Sequence, residues 1–150
     1  MRRARLTPGF ADEQLTTSQD RLFMAATRIL YIEDRPDNRS LVRRILMAEG
    51  MEVIEAGSAD EGTTLARLEH PDLILMDISM PGKDGFSATT DLRRMPELDQ
   101  IPIVALTANV MKGDKERTLD AGCDGYIPKP IDVDRFPSEI ANYIRKGRRR

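Results

Sequence analysis

The chain has no tryptophan, a single cysteine and a single histidine. With aromatics at only 5% of residues, its core must be built mainly from aliphatic side chains. One cysteine, Cys123, excludes an intramolecular disulfide and any multi-cysteine metal site, and it fits a reducing compartment. Because Cys123 follows a helix-ending glycine, it is expected as a small packed side chain and not as a redox sensor. One histidine, His70, has no second histidine to share a metal with and no histidine-kinase phosphorylation box around it. Lying just before Pro71 between a helix and a strand, it is expected at the surface.

Long apolar runs are also missing. No stretch approaches the roughly 20 residues of a membrane span, and Arg2, Arg3 and Arg5 are not followed by a signal-peptide hydrophobic segment. No membrane span and a cytoplasmic location are therefore expected. Nor does one sign of charge dominate: the net charge of −2 argues against a dedicated nucleic-acid binder, so no nucleic-acid partner is expected. Basic residues do collect at the two ends, and Arg145, Lys146, Arg148, Arg149 and Arg150 read as a solvated basic tail over 146–150.

What is present is enough for one folded domain: 150 residues, 40% hydrophobic and 32% charged. Residues 1–27 lack sustained periodicity and are expected to be a flexible N-terminal extension, leaving 28–145 as the folded unit. There, short apolar runs alternate with helical patterns. Strands are expected at 28–32, 51–55, 73–76, 101–106 and 124–127. Between them, Leu41, Val42, Ile45 and Leu46 recur at helical spacing after Asp37 or Asn38 as N-cap. Ser58 and Glu61 form a capping box opening a helix that stops before Pro71. Further helices are expected at 86–95, at 112–121 with Gly122 as its stop, and at 133–145. Five βα units with nearly continuous apolar strands imply an α/β fold, a parallel sheet covered on both faces.

In such sheets, sites form beyond the carboxyl ends of the strands. The first strand ends in Glu33-Asp34, the third in Asp77, the fourth in Thr107, and the fifth is followed by Lys129-Pro130. Carboxylates converging in one crevice repel each other unless a cation neutralises them, and an oxygen-only donor set with room for water suits Mg²⁺. A carboxylate beside such a cation can attack phosphorus and become an acyl phosphate, with an ammonium and a hydroxyl neutralising and positioning the transferred group. Asp77, fixed at the end of a core strand, is then placed to receive a phosphoryl group.

Glu33-Asp34, Asp77-Ile78-Ser79-Met80-Pro81-Gly82, Leu106-Thr107-Ala108 and Lys129-Pro130 resemble, in order and spacing, the receiver domain of two-component response regulators. The segment from Met111 to Ile131 further resembles stand-alone receivers of the DivK type and receivers attached to hybrid histidine kinases. The resemblance implies a doubly wound, CheY-like sheet ordered 2-1-3-4-5 between five helices. It implies Asp77 as phosphoacceptor, Asp34 and Asp77 as direct Mg²⁺ ligands, Ser79 lending its backbone carbonyl, and Glu33 holding the metal through water. Thr107 matches the hydroxyl that engages the phosphoryl group, Lys129 its ammonium partner, and Tyr126 the aromatic that turns when the domain switches. A cis bond between Lys129 and Pro130 is also implied, and Ala108 supplies the small side chain that access to the site requires.

The implied partners are a histidine kinase or histidine phosphotransfer protein upstream. Downstream, a protein target is expected on the face made by helix four, strand five and helix five. No output domain follows helix five, so a single-domain response regulator in a phosphorelay is expected, not an enzyme acting on external substrates. Arg35, beside the acidic pair, departs from the commoner uncharged or acidic residue. It either favours phosphate, weakens the metal by repulsion or points to water. Ser79 and Asn109 stand where the family tunes phosphoryl lifetime.

Three other functions compete. A phosphatase-type enzyme using an aspartyl phosphate would want a second Asp two residues after its nucleophile, where this chain has Ser79. A nucleotide- or flavin-binding domain would want glycines after the first strand, where Glu33-Asp34-Arg35-Pro36 stands. A receiver-like docking module without the chemistry would not need the full acidic, threonine and lysine set.

Overall fold

The computed structural model describes residues 27–80, 82, 84–108 and 114–149. The extension expected over 1–27 lies, except for Thr27, outside them, as do Asn109 and the expected start of the fourth helix at 112. Among the described residues the elements are, in order, β1 (Arg28–Ile32), α1 (Pro36–Met47), β2 (Glu52–Ala56), α2 (Ala59–Glu69), β3 (Leu73–Asp77), α3 (Gly85–Arg93), a 3₁₀ turn (Pro96–Leu98), β4 (Ile103–Thr107), α4 (Asp114–Ala121), β5 (Gly125–Pro128) and α5 (Phe136–Lys146). The strands form one parallel sheet in the order β2-β1-β3-β4-β5, with Ile32 opposite Met76, Asp77 opposite Leu106 and Thr107 opposite Pro128.

Every residue of β3 and β4 is buried, as strands covered on both faces require. Alternation divides the sheet's side chains between two cores. Leu30, Ile32, Ile74, Met76, Ile103 and Ala105 pack with Ala66, Ala88 and Leu92 on the α2 and α3 side. Ile29, Tyr31, Leu73, Leu75, Val104 and Leu106 pack with Val42, Leu46, Phe136 and Ile140 on the α1 and α5 side. Each such aliphatic side chain contributes roughly 1.5–3 kcal/mol on burial. Among the described residues no helix is long and apolar enough to cross a membrane.

Several expected boundaries shift for local reasons. α1 begins at Pro36 with Arg35 as N-cap and no capping side chain, so neither Asp37 nor Asn38 is the cap. Proline at the first helical position lacks the amide a cap would satisfy, and its fixed φ starts the helix early. Ser58 does cap α2, accepting from the Glu61 amide, while the Glu61 carboxylate accepts from the Gly57 amide at 2.6 Å. α3 stops at Arg93, three residues before Pro96, and β4 starts only at Ile103, after Pro102. α5 starts at Phe136 instead of 133, because the Asp132 carboxylate accepts from the amides of Asp134 and Arg135 and holds a turn there. Gly122 has φ +114°, the left-handed conformation expected of the residue that ends α4.

Of the basic residues after α5, Arg148 and Arg149 bond back to the domain. Gly147 turns the chain back at φ +69°, and Arg148 Nε donates to Asp124 Oδ1 at 2.9 Å while Arg149 Nη2 donates to the Leu119 carbonyl at 3.0 Å. Asp124 also accepts from Arg93 Nη2 at 2.7 Å and from the Ile103 amide at 2.9 Å. The attraction is specific: one buried carboxylate just before β5 draws two guanidinium groups inward.

Candidate functional site

The carboxyl ends of β1 and β3 are neighbours, so the residues that close these strands meet. Carboxylate oxygens of Glu33, Asp34 and Asp77 all lie within 4.8 Å of one another. Asp77 is only 3% exposed and Glu33 is fully buried, so their charges face each other with little water between. Lys129 reaches the pair from beyond β5: its Nζ is 3.2 Å from Asp77 Oδ1 and 3.7 Å from Glu33 Oε1. The Lys129–Pro130 bond is cis, as expected.

The backbone around these groups is tightly held. The Lys129 amide donates to the Thr107 carbonyl at 2.8 Å, tying the lysine to the end of β4. The Ser79 amide donates to Asp77 Oδ1 at 3.2 Å, and the Ser79 side chain is exposed. Gly85, the first residue of α3, sits so close to this strand end that a Cβ would lie 2.6 Å from the Asp77 carbonyl oxygen and 2.7 Å from Ile78 Cα. Only a glycine admits α3 at this distance, and it fixes the loop that carries Ser79.

Electrostatics set the two buried carboxyls apart. Burial pushes the Asp77 carboxyl up, the Glu33 charge pushes it further, and Lys129 opposes both. Burial also acts to raise the Glu33 carboxyl, but hydrogen bonds from the Arg35 amide and Asn38 more than offset it, so Glu33 is held below the usual carboxylate range. An oxygen-only cluster of this charge, with Asp34 only partly buried, fits a small hard divalent cation that retains water.

The structure places Thr107 at the end of β4, 6% exposed, and Ala108 beside it at the surface. Tyr126 lies in β5 opposite Ala105, half-buried against the α2 and α3 core. The Lys115 ammonium stands 5.8 Å from its ring centre, and the Tyr143 hydroxyl donates to its carbonyl at 3.3 Å. Arg35 is exposed and contributes its amide, at 3.1 Å from Glu33 Oε2. His70 is exposed in a left-handed conformation after α2. Cys123 is buried against Thr89, and burial pushes its thiol up to about 11, which suits an inert packed side chain.

Three contributors escape a reading of the sequence. Tyr31 looks like a core residue of β1, yet its hydroxyl donates to Glu33 Oε1 at 3.2 Å. Asn38, a candidate cap by position, instead donates from Nδ2 to the same oxygen at 3.0 Å. Arg39 donates from Nη1 to the Glu33 carbonyl at 2.8 Å. The available signal was the period: Tyr31 shares a strand face with Glu33, and a helix starting at Pro36 turns Asn38 toward it.

Comparison with known proteins agrees with this fold. The family model for the response regulator receiver domain matches residues 29–141. The polar-differentiation response regulator DivK of Brucella ovis is 45% identical over 116 residues, covering 77% of this chain and 94% of the relative. The receiver domain of the sensor histidine kinase PA1611 from Pseudomonas aeruginosa, solved with a magnesium ion coordinated in its active site cleft, superposes with a TM-score of 0.70 at 33% identity over 81% of this chain and 97% of that one. The chemotaxis protein CheY4 of Vibrio cholerae superposes with a TM-score of 0.74 at 25% identity over 78% of this chain and 98% of that one.

Proposed function

The chain belongs to the response regulator receiver family and is a receiver of phosphorelay signalling; on that premise we propose that Asp77 is its phosphoacceptor. The observation that carries the assignment is the position of Asp77: it closes a fully buried strand, lies within the acidic cluster and has Lys129 Nζ at 3.2 Å.

A Mg²⁺ held by Asp34, Asp77 and the Ser79 carbonyl, with Glu33 behind a water, would neutralise charge on the incoming phosphoryl oxygens. The chain's own residues do the rest. An Asp77 carboxylate oxygen attacks phosphorus, an O–P bond forms, and the N–P bond to a donor histidine breaks with the electron pair returning to the imidazole. Before transfer Lys129 screens Asp77 from Glu33. Afterwards its ammonium pairs with the phosphoryl oxygens, and the Thr107 hydroxyl donates to them. Drawing Thr107 inward vacates space beside β4 for Tyr126, changing the face of α4, β5 and α5 that a downstream protein would read. The upstream partner is a histidine kinase or histidine phosphotransfer protein, and the place of action is the cytoplasm. The unit that folds and signals spans 28–149, since Arg148 and Arg149 belong to its packing.

The experiment that separates this reading from a phosphatase or a docking module uses two probes. With acetyl phosphate and Mg²⁺ the chain should gain one base-labile phosphoryl group, and it should release no inorganic phosphate from p-nitrophenyl phosphate. Sustained release from the ester would establish the phosphatase, and no incorporation at all the docking module.

A further inference from the structure

The receiver chemistry asks only that Glu33 be acidic, yet this chain surrounds it with donors. Glu33 Oε1 accepts from the Tyr31 hydroxyl at 3.2 Å and from Asn38 Nδ2 at 3.0 Å, with Lys129 Nζ at 3.7 Å. Glu33 Oε2 accepts from the Arg35 amide at 3.1 Å. The carboxylate is fully buried, so its orientation is set by these donors and not by solvent. Tyr31 comes from β1, two residues before Glu33 on the same face of the strand, while Asn38 and the Arg35 amide come from α1 and the turn leading into it. Arg39 completes the frame by holding the Glu33 carbonyl at 2.8 Å and reaching Glu55 on β2 at 3.3 Å.

From this geometry we infer that Tyr31 and Asn38 are positioning residues for the divalent-cation site: by holding Glu33 Oε1 they fix the orientation of its carboxylate. The inference rests on the receiver reading above and deepens it. Two donors and a nearby ammonium engage Oε1 while the Arg35 amide engages Oε2, so the carboxylate is fixed at both oxygens. The clamp also explains why a glutamate serves at this position. Its extra methylene lets the carboxylate reach both the Tyr31 hydroxyl, which lies inside the α1 and α5 core, and the first turn of α1. With Tyr31 only 1% exposed, its hydroxyl is shielded from solvent and finds its partner in Glu33.

A purely structural role for the pair would affect folding alone. A positioning role shows in the metal. Tyr31→Phe keeps the ring and deletes only the hydroxyl, and Asn38→Ala deletes the second donor. Mg²⁺ affinity is measured by NMR titration of backbone amides, with thermal melts in parallel and acetyl phosphate labelling as a separate readout. Each variant should bind Mg²⁺ about 10-fold more weakly than wild type, the low end of what loss of outer-shell hydrogen bonds costs elsewhere. In a Glu33→Gln background, adding Tyr31→Phe should cost nothing further, because the group it positions is already altered. Wild-type Mg²⁺ affinity in Tyr31→Phe, or an equal loss with and without Glu33, overturns the inference and leaves the receiver reading standing. A wild-type chain that neither binds Mg²⁺ nor takes label overturns both. Should Asn38→Ala not fold, Tyr31→Phe decides alone.

Discussion

Lys129 Nζ lies between two buried carboxylates, 3.2 Å from Asp77 Oδ1 and 3.7 Å from Glu33 Oε1, and is the counterion that both share. Without it, two negative charges with little access to water face each other. Lys129→Met should therefore lower stability by roughly 1–3 kcal/mol in metal-free buffer at neutral pH. Added Mg²⁺ should restore more stability to this variant than to wild type, since the cation takes over the neutralisation. Thermal melts with EDTA and with Mg²⁺ measure both, and equal melting temperatures in the two chains under EDTA would refute the shared-counterion role.

Asp77 itself costs stability when ionised. Burial first, and then the Glu33 charge, raise its carboxyl above the usual range, against the pull of Lys129. A raised carboxyl favours the folded state in acid, and that contribution is lost as pH rises through the raised value. Glu33 runs the other way, stabilising above the usual carboxylate range and losing that in acid, but it is present in both chains compared. Asp77→Asn, measured without metal, should gain on wild type as pH rises from acid to neutral, ending a few degrees higher in melting temperature. A constant offset across pH would contradict this.

Asp124 gathers Arg93, Arg148 and the Ile103 amide on a side chain that is 2% exposed. Removing residues 148–150 leaves the carboxylate with fewer donors and should cost about 1–3 kcal/mol. Asp124→Asn should cost at least as much, and truncation should add little to it. Additive losses in the melts would show that the arginines act elsewhere.

The proposed route from Asp77 to a partner passes through Thr107 and Tyr126. Thr107→Ala and Tyr126→Ala should both still accept phosphate, and both should lose most of the phosphorylation-dependent change in affinity for a downstream protein. Binding measured with and without acetyl phosphate checks this, with labelling followed separately. A full wild-type change in both variants would show that the signal leaves by another route.

Much of this is legible in the amino-acid sequence. Strand-end placement of Glu33, Asp34, Asp77, Thr107 and Lys129 follows from the period of the apolar runs, because a parallel sheet puts all strand carboxyl ends on one edge. Less visible was what depends on distance between elements. Tyr31 reads as core because periodicity reports which face a side chain takes and not where its hydroxyl ends. Asn38 reads as a cap because its residue type favours caps, and Pro36 displaced that role by starting the helix earlier. The terminal arginines read as solvated because nothing local marks Asp124, more than 20 residues away, as their partner.

The phosphoacceptor assignment is tested most directly by intact mass. Wild type and Asp77→Asn are incubated with acetyl phosphate, with and without Mg²⁺, and weighed before the label decays. One added phosphoryl group on wild type, requiring Mg²⁺ and absent from Asp77→Asn, is the result expected here. Equal labelling of the two chains, or label mapped to His70 or another residue, would contradict it.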